Sequence, residues 1–343
     1  MRYGMDFGRM NEKGGDLTKM NFATGNSAKM DWKMLALVLA LMMILSCSAL
    51  AELTFTTGGS SGTYYAFGGV LAQYISDNSD VKISAVTGEG SAANIDMLDM
   101  HFAQLGFVQS DVAYYAYNGI QFDQYIGAPI TSFNAIAALY NETVQLVTCD
   151  PEIKSIEDLR GKSVSIGAAG SGVYFNAMDF LAAYGMTEAD ITPQYLSFSD
   201  SAEALKDGKI DAAFVVAGAP TTAVVDLCAT KGAYLVSLDA DAITKLEEIN
   251  GAYTECIIPA GTYDGIDKDI TTVAVKAIII ANDDVTDDEA YAIASTIFEN
   301  AETIAQQHAK GSELDLAYAA ECGLPYHAGA AKYFAEKGFT VAE

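Results

Sequence analysis

Ser61–Tyr65 (SGTYY) and Ser171–Phe175 (SGVYF) are two similar stretches that begin 110 residues apart in the chain. Each follows a short run of strand-forming residues, Leu53–Thr57 in the first case and Ser163–Gly167 in the second. This order predicts a strand, a glycine-rich turn and a helix that opens with two aromatic residues. The likeness of the two stretches indicates that one βαβ-type unit occurs twice.

A second pair of turns follows downstream with the same separation. Thr87–Ser91 precedes a helical pattern at Ala92–Met100, and Ser197–Ser201 precedes one at Ala202–Asp207. Strands alternate with helices along the rest of the chain, which predicts an α/β fold built from two mostly parallel open sheets. In such sheets ligands bind beyond the carboxyl ends of the strands, where all four turns are expected. We therefore expect two lobes with a hinge and a central cleft.

The boundaries of the lobes follow from the order of the predicted elements. We expect residues 52–148 and 254–343 to form lobe 1, and residues 149–253 to form lobe 2. The apolar run Thr143–Cys149 would carry the chain from lobe 1 into lobe 2. A long amphipathic helix is predicted at Asp287–His308.

Residues 1–51 have the pattern of a leader. Two lysines precede the apolar run Met34–Leu45, and Ala49–Ala51 provides a small-x-small cleavage pattern. The run has about 12 residues, fewer than the roughly 20 that span a bilayer, so we expect a cleaved signal peptide and export to the periplasm or cell surface. A membrane anchor is the competing interpretation. Cys47 adds the alternative of a lipid anchor, because the residues before it loosely resemble a lipobox.

The chain is strongly acidic, with 19 Lys and Arg residues against 45 Asp and Glu residues and a net charge of −26. A charge of this size repels nucleic acid and anionic lipid surfaces. Neither is therefore expected as a partner. We interpret the acidity as a means of solubility outside the cell.

Four cysteines follow the leader, and they form no close C-x-x-C pair. The three histidines of the chain do not cluster with them, so a zinc site is not expected. Export permits disulfides, but four cysteines allow three connectivities, and free buried thiols are an equal alternative. The four are Cys149, Cys228, Cys256 and Cys322.

The predicted turns suit a small anion. Each helix start offers unpaired backbone N–H groups and the positive end of the helix dipole, which together favour an anion by about 0.3–1 kcal/mol. After the leader the sequence contains one arginine, Arg160, which precedes a predicted strand on the side away from the turns. A guanidinium clamp on a carboxylate is therefore not expected. We expect backbone N–H groups, hydroxyls and aromatic rings to bind the ligand.

The candidate ligand-binding residues lie in the turns and at strand ends. We expect Ser171, Gly172 and Val173 to supply N–H donors, Gln109 and Ser110 to line the floor, and Phe198 to form a wall. The full set is Ser61, Gly62, Tyr64, Ser91, Asn94, Gln109, Ser110, Ser171, Gly172, Val173, Phe198, Gly218 and Ala219.

Enzymatic function is not expected from the sequence. A nucleophile requires a base within hydrogen-bonding reach, and the three histidines lie outside the repeated turns. The chain contains no Walker loop, dinucleotide fingerprint or nucleophile elbow. We therefore predict no catalytic residue, no metal and no cofactor.

Several motifs resemble the TAXI family, the extracytoplasmic solute receptors of one branch of TRAP transporters. The resemblance runs from about Leu53 to Gly338, and its motifs are Thr57–Tyr65, Gln109–Tyr114, Leu159–Lys162 with Gly170–Gly172, Phe214–Pro220 and Ile258–Tyr263. It implies a bilobed, type II-like periplasmic-binding-protein fold that closes over a small organic acid, such as glutamate or a related carboxylate. One departure is Val173, where the family commonly has threonine.

The resemblance also implies delivery of the ligand to an ion-coupled integral membrane permease of the TRAP type. We expect a monomeric binding receptor on this basis. Two alternatives remain: the receptor of an ATP-driven importer, which uses a similar bilobed fold, and a secreted enzyme on the same fold. A neighbouring permease gene without an ATPase gene would distinguish a TRAP receptor from the receptor of an ATP-driven importer. Recovery of an unchanged ligand from the purified protein would distinguish a binding protein from an enzyme.

Overall fold

The structure is a computed structural model that describes residues 52–342 of the 343-residue chain. The predicted signal peptide and the alternative lipid anchor at Cys47 lie outside the described residues. Among the helices of residues 52–342, none has both the length and the apolar character needed to cross a membrane.

The first part of the chain alternates strands and helices as predicted. Helix α1 (Thr63–Asn78) buries Phe67, Leu71 and Ile75, which are four residues apart and therefore share one face. Helix α3 (Ser110–Asn118) stops at Gly119, whose φ of +62° is the left-handed conformation that glycine adopts without strain. The elements are β1 (Leu53–Thr56), α1 (Thr63–Asn78), β2 (Ile83–Val86), α2 (Ser91–Asp99), β3 (Leu105–Gln109), α3 (Ser110–Asn118) and β4 (Phe133–Thr148).

The middle of the chain repeats this alternation. Its elements are β5 (Ser163–Ser165), α4 (Val173–Ala183), β6 (Thr192–Gln194), α5 (Phe198–Lys206), β7 (Ala212–Ala217), α6 (Thr222–Thr230), β8 (Tyr234–Leu235) and α7 (Ala240–Ile249). The last part contains β9 (Thr254–Ile258), β10 (Ile270–Asn282), α8 (Asp287–Glu299), α9 (Ala301–Gln307), α10 (Leu316–Ala319) and α11 (Ala328–Glu336). Short 3₁₀ turns lie at Glu157–Leu159, Glu188–Asp190 and Ala309–Glu313.

Two parallel groups of strands are joined through antiparallel strands in the middle. The order along the sheet is β2-β1-β3-β10-β4-β7-β5-β6, with β8 beside β4 and β9 beside β10. Strands β1, β2 and β3 pair in parallel, and so do β5, β6 and β7. Strands β4 and β10 are 16 and 13 residues long and pair with each other in the antiparallel direction. Strand β10 also pairs with β3 of the first group, and β4 pairs with β7 of the second. The two expected sheets are thus one continuous sheet.

The buried apolar residues form three clusters. One includes Phe55, Phe67 and Phe107 and fills the part of the molecule around β1, β3 and the C-terminal helices. The other two lie around β5 and β7, with Phe180 in one and Leu227 in the other. Each parallel group of strands therefore has its own core. The lobe boundaries expected from the sequence remain a proposal.

Two predicted elements differ from the structure. The helix predicted at Asp287–His308 is divided at Asn300, whose backbone leaves the helical region with φ −123° and ψ 20°. The helix predicted at Ala202–Asp207 begins earlier, at Phe198 in the predicted turn, because the Ser197 hydroxyl accepts a hydrogen bond from the Asp200 N–H and caps the helix. The four cysteines after the leader are free thiols.

Candidate functional site

A cavity of about 60 Å³ lies where strand ends of both parallel groups meet the first turns of α1, α2, α4 and α5. All four turns predicted from the repeat contribute to its wall. The lining residues are Gly58, Gly59, Gly62, Thr63, Tyr64, Glu89, Gly90, Ser91, Gln109, Glu142, Ser171, Gly172, Val173, Phe198, Val216 and Ala217. The cavity is small, since pockets for drug-sized ligands hold roughly 300–1,000 Å³.

The two sides of the cavity are in contact. The Ala93 N–H donates to the Gly170 carbonyl at 3.0 Å. On another edge, the Thr63 hydroxyl donates to the Gly218 carbonyl at 3.0 Å. Both bonds join residues that are separated widely in sequence and belong to different parallel groups. The structure is therefore a closed arrangement around the cavity.

Gly172 occupies a position with no room for a side chain. A Cβ atom there would overlap Gln109 Oε1 and would lie 2.7 Å from Ser91 Oγ. Ser91 Oγ lies 3.5 Å from Gln109 Oε1 and accepts a hydrogen bond from the Gln109 N–H at 3.1 Å. The backbone of this turn thus approaches the floor of the cavity closely, which only glycine permits.

Three polar atoms on the cavity wall have no hydrogen-bond partner within the described part of the chain. They are Tyr64 Oη, Glu142 Oε1 and Ser171 Oγ, and all three are buried. Buried polar atoms in folded proteins are almost always paired, because an unpaired one costs about 1–3 kcal/mol. Three unpaired atoms around one cavity therefore indicate a place where a polar solute would supply the partners.

Glu142 is a buried carboxyl group in the cavity lining. It lies inside β4 and is 2% exposed, and burial raises its pKa to about 8. The charge of Lys310 opposes this rise, but Lys310 is itself paired with Glu313 at 2.5 Å. The lining contains two acidic residues, Glu142 and Glu89, and no basic one. A cationic group on the solute beside Glu142 would lower this pKa and favour the ionised carboxylate.

The first turn of α4 presents backbone donors. Within residues 52–342, the N–H groups of Gly172 and Val173 have no backbone acceptor, as expected for the first residues of a helix. The Ser171 N–H, which the sequence suggests as a third donor, is not available. It donates to the Ala168 carbonyl at 3.0 Å and closes the turn.

Eight of the thirteen predicted residues line the cavity: Gly62, Tyr64, Ser91, Gln109, Ser171, Gly172, Val173 and Phe198. Tyr64 stacks on Phe107 with ring centroids 4.7 Å apart, so it also belongs to the core. Burial raises the pKa of Tyr64 well above its ordinary value, and its hydroxyl therefore keeps its proton.

The other five predicted residues lie outside the cavity lining. Asn94 bonds the carbonyls of Thr57 at 2.6 Å and Phe107 at 2.7 Å, and so supports the strand ends from behind. The Ser110 hydroxyl accepts the N–H of Lys276 at 3.0 Å.

Gly218 contributes the carbonyl that Thr63 bonds, so it closes the edge of the cavity without lining it. Ser61 and Ala219 lie in turns beside the cavity, and neither lines it. The local sequence pattern does not determine which residues beside these turns and strand ends face the cavity.

Eight lining residues were not predicted from the sequence, and Glu142 is the buried carboxylate among them. It directly precedes the apolar run Thr143–Cys149, and the structure places it inside β4. The available signal was a carboxylate in a stretch of strand-forming residues, since ionisable groups with shifted pKa values cluster at functional sites. A separate group of possible metal ligands, His101, Asp283 and Asp284, is exposed and does not line the cavity.

The profile of the NMT1-like family matches residues 55–338, which is most of the chain. The chain belongs to the NMT1-like family. A solved structure of a protein from Bordetella bronchiseptica RB50 has 16% identity and a TM-score of 0.51, covering 78% of this chain and 77% of that one. These likenesses bear on the fold alone.

Two further solved structures are similar at lower TM-scores. The periplasmic aliphatic sulphonate binding protein SsuA from Escherichia coli has 16% identity and a TM-score of 0.44, with 83% of this chain and 78% of that chain covered. The substrate binding protein of an amino acid ABC transporter has 12% identity and a TM-score of 0.45, with 77% and 99% covered. The fold class expected from the sequence, a bilobed α/β fold of the type II-like periplasmic-binding-protein kind, is confirmed.

Proposed function

We propose that this protein is an extracytoplasmic receptor that binds a small organic acid bearing an amino group, such as glutamate, and delivers it to a membrane importer. The observation that carries this proposal is the set of three unpaired buried polar atoms around one closed cavity. A binding protein gains from such atoms because the correct solute satisfies them and other solutes do not.

The carboxylate of the solute would lie at the first turn of α4. The N–H groups of Gly172 and Val173 are free to donate there within the described chain, and the helix dipole adds a favourable field. Val173 contributes no hydroxyl, so binding at this end depends on the backbone. The Ser171 hydroxyl is the nearest side-chain donor without a partner among the described residues.

The amino group of the solute would lie at Glu142. An ammonium ion next to this carboxylate favours its ionised form and donates to the unpaired Oε1. An organic acid without an amino group would leave Glu142 Oε1 without a donor, and the lining has no basic side chain to take the place of the ammonium. The lining therefore supports an amino acid over an organic acid without an amino group.

Two importer classes remain candidates. The motif resemblance to TAXI receptors supports an ion-coupled TRAP permease. The ATP-driven alternative is supported at least as well, because solved structures of similar fold include the substrate binding protein of an amino acid ABC transporter. Since that likeness is one of fold alone, transport measurements decide between the two classes.

Mass spectrometry of the small molecules released from natively purified protein tests the ligand. We expect an unchanged molecule that carries both a carboxylate and an amino group. Calorimetry with L-glutamate, L-glutamine and the matched acid glutarate would check this, with glutarate binding at least tenfold more weakly. Tight binding of glutarate, or chemical conversion of the bound molecule, would contradict the proposal.

Uptake into vesicles that contain the candidate permease tests the importer. Uptake driven by an ion gradient without ATP indicates the TRAP class. Uptake that requires internal ATP indicates the ATP-driven class. Failure of the receptor to stimulate either transporter would contradict a role in import.

A further inference from the structure

A second group of buried polar residues lies behind the cavity and is fully hydrogen-bonded. Asn176 Nδ2 donates to Asp111 Oδ2 at 2.7 Å and lies 2.8 Å from the Tyr253 hydroxyl. The hydroxyls of Tyr253 and Tyr115 donate to Asp179 Oδ2 at 2.9 and 3.1 Å. We call these five residues the interlobe network.

The interlobe network joins the two expected lobes. Asp111 and Tyr115 belong to α3 in lobe 1, whereas Asn176 and Asp179 belong to α4 in lobe 2. The Asn176–Asp111 and Tyr115–Asp179 bonds therefore cross from one lobe to the other. Opening of the cleft would have to break both bonds and expose the two carboxyl groups to water.

The interlobe network also contacts the floor of the cavity. Gln109 Nε2 donates to Asn176 Oδ1 at 2.5 Å and lies 3.5 Å from Asp111 Oδ1. This bond orients the Gln109 amide so that Oε1 lies toward Ser91 and Gly172, both of which line the cavity. Gln109 is therefore held in its cavity-lining position by residues that do not line the cavity.

Two carboxyl groups are buried in this network without a positive charge. Asp111 is fully buried and Asp179 is 2% exposed, and within residues 52–342 neither forms a salt bridge. Burial and the charge of Asp179 raise the pKa of Asp111 to about 7, and burial raises the pKa of Asp179 to about 6. Two unpaired charges so close in the interior are unfavourable.

On β10, which packs against α3, the Lys276 N–H donates to Ser110 Oγ, and its ammonium group donates to the Tyr318 carbonyl. The titratable groups whose pKa values the two carboxylates raise are phenols. They belong to Tyr64 on α1, Tyr115 on α3, Tyr125 after α3 and Tyr253 before β9. Burial raises the pKa of each, so all four remain neutral below pH 10. The two aspartates are therefore the groups in this network that change charge near neutral pH.

We propose that closure of the two lobes is linked to the uptake of a proton by the Asp111–Asp179 pair, and that the protonated pair holds Asn176 and, through it, Gln109 in the solute-binding position. Asp111, Asn176 and Asp179 are thus positioning residues that do not contact the solute. The inference rests on the proposed function in one respect, namely that the cleft opens and closes around a solute.

The direction of the pH dependence follows from the two states. In an open cleft the carboxyls would be hydrated, with pKa values near the ordinary value of about 4. In the closed state the pKa of Asp111 is about 7, so the closed state binds more protons between these limits. A falling pH therefore favours closure, and the association constant rises by up to about tenfold for each pH unit between about 7 and 4.

A first experiment requires no solute. Small-angle X-ray scattering measures the radius of gyration of the wild type and two variants at pH 8 and pH 5. We expect the wild type to be more compact at pH 5. We expect Asp111→Asn, a neutral isostere of the protonated group, to differ less between the two pH values, because only Asp179 still changes charge there. The exposed Asp267→Asn is the matched control and should behave as the wild type. Asp179→Asn replaces Asp111→Asn if the latter does not fold, as judged by circular dichroism.

A second experiment uses L-glutamate as the probe. Calorimetry at pH 6 in two buffers of different ionisation enthalpy gives the number of protons taken up on binding. We expect the wild type to take up as much as one proton more than Asp111→Asn, because any contribution from Glu142 is common to both proteins.

The outcomes of the two experiments are separable. Absence of L-glutamate binding contradicts the proposed ligand, while the scattering result still decides the proton linkage. Equal proton uptake by both proteins overturns the inference even if L-glutamate binds tightly. A radius of gyration with the same pH dependence in the wild type and in Asp111→Asn overturns it as well.

Discussion

The cavity and the interlobe network are neighbouring groups of buried polar atoms, but they differ in how those atoms are paired. In the network, Asn176 and Asp179 each have two or more protein partners. In the cavity, Tyr64 Oη, Glu142 Oε1 and Ser171 Oγ have none among the described residues. Gln109 belongs to both groups, with its Nε2 in the network and its Oε1 toward the cavity.

The difference separates two uses of buried polarity. A paired network specifies one arrangement of the protein, because each group finds its partner in one geometry only. Unpaired buried atoms destabilise the empty protein, and a solute that forms hydrogen bonds with them removes this cost on binding. Substitutions in the cavity should therefore affect binding, whereas substitutions behind it should affect stability or closure.

Gly172→Ala should have the largest effect on binding. Its Cβ would overlap Gln109 Oε1 and crowd Ser91 Oγ, so the cavity could not close around a solute. We expect no measurable binding of L-glutamate by calorimetry. Gly69→Ala is the matched control, since a Cβ there meets nothing within 4 Å, and it should bind as the wild type does. Normal binding by Gly172→Ala would show that the closed cavity is not the site.

Glu142→Gln should weaken binding of an amino acid by about tenfold to 150-fold. The reason is that a hydrogen bond to a charged group contributes about 1.5–3 kcal/mol, and glutamine offers a neutral oxygen in its place. Calorimetry with L-glutamate and with glutarate measures the effect. Binding of glutarate should change less, because it has no ammonium group. An equal loss for both ligands would remove the argument for an amino group at Glu142.

Glu142→Gln should weaken ligand binding but stabilise the folded protein at high pH. The folded-state pKa of Glu142, about 8, is above its ordinary value of 4.5, so the folded protein binds more protons than the unfolded chain between these values. The Glu142 contribution therefore lowers the free energy of unfolding as pH rises from about 4.5 to 8. Thermal unfolding without solute should show Glu142→Gln to be more stable than the wild type at pH 9, with the difference diminished at pH 5.

The turns and the overall alternation of elements could be predicted from the sequence because both depend on local patterns. Glycine, serine and paired aromatics marked the starts of α1 and α4, and apolar periodicity marked the strands and helices. The correspondence of Ser61 with Ser171 also located the two turns. It did not indicate that Ser171 lines the cavity and Ser61 does not, because this depends on how the two units face each other.

The chemistry of the cavity was less predictable because it depends on contacts between distant parts of the chain. Glu142 lines the cavity between the two parallel groups because β4 lies in the middle of the sheet, a consequence of sheet order. Asp111 and Asp179 become neighbours only when α3 and α4 meet. A single sequence contains no local signal for either juxtaposition. The sequence predicts an anion site without cationic side chains. It does not predict the buried carboxylates beside that site.

Asn94→Ala tests whether Asn94 contributes to ligand binding in the cavity or to stability behind it. Asn94 was predicted to bind the ligand, but its amide bonds the carbonyls of Thr57 and Phe107 behind the cavity wall. Its loss leaves both carbonyls unpaired, so we expect the free energy of unfolding to fall by about 2–4 kcal/mol. Urea denaturation measures this loss. Affinity for L-glutamate below the melting temperature should change less than threefold, and a large loss of affinity with unchanged stability would return Asn94 to the ligand site.

Ser171→Ala should have the smallest effect on binding. The backbone N–H of Ser171 closes its own turn and remains in the variant, so only the unpaired hydroxyl is lost. A neutral hydrogen bond contributes about 0.5–1.5 kcal/mol, which corresponds to a loss of affinity of about twofold to tenfold. Ser61→Ala, at the corresponding position of the other repeat, should bind L-glutamate as the wild type does, because Ser61 does not line the cavity. Equal effects of the two substitutions would indicate that the repeats contribute equivalently and that the asymmetry of the cavity has no functional role.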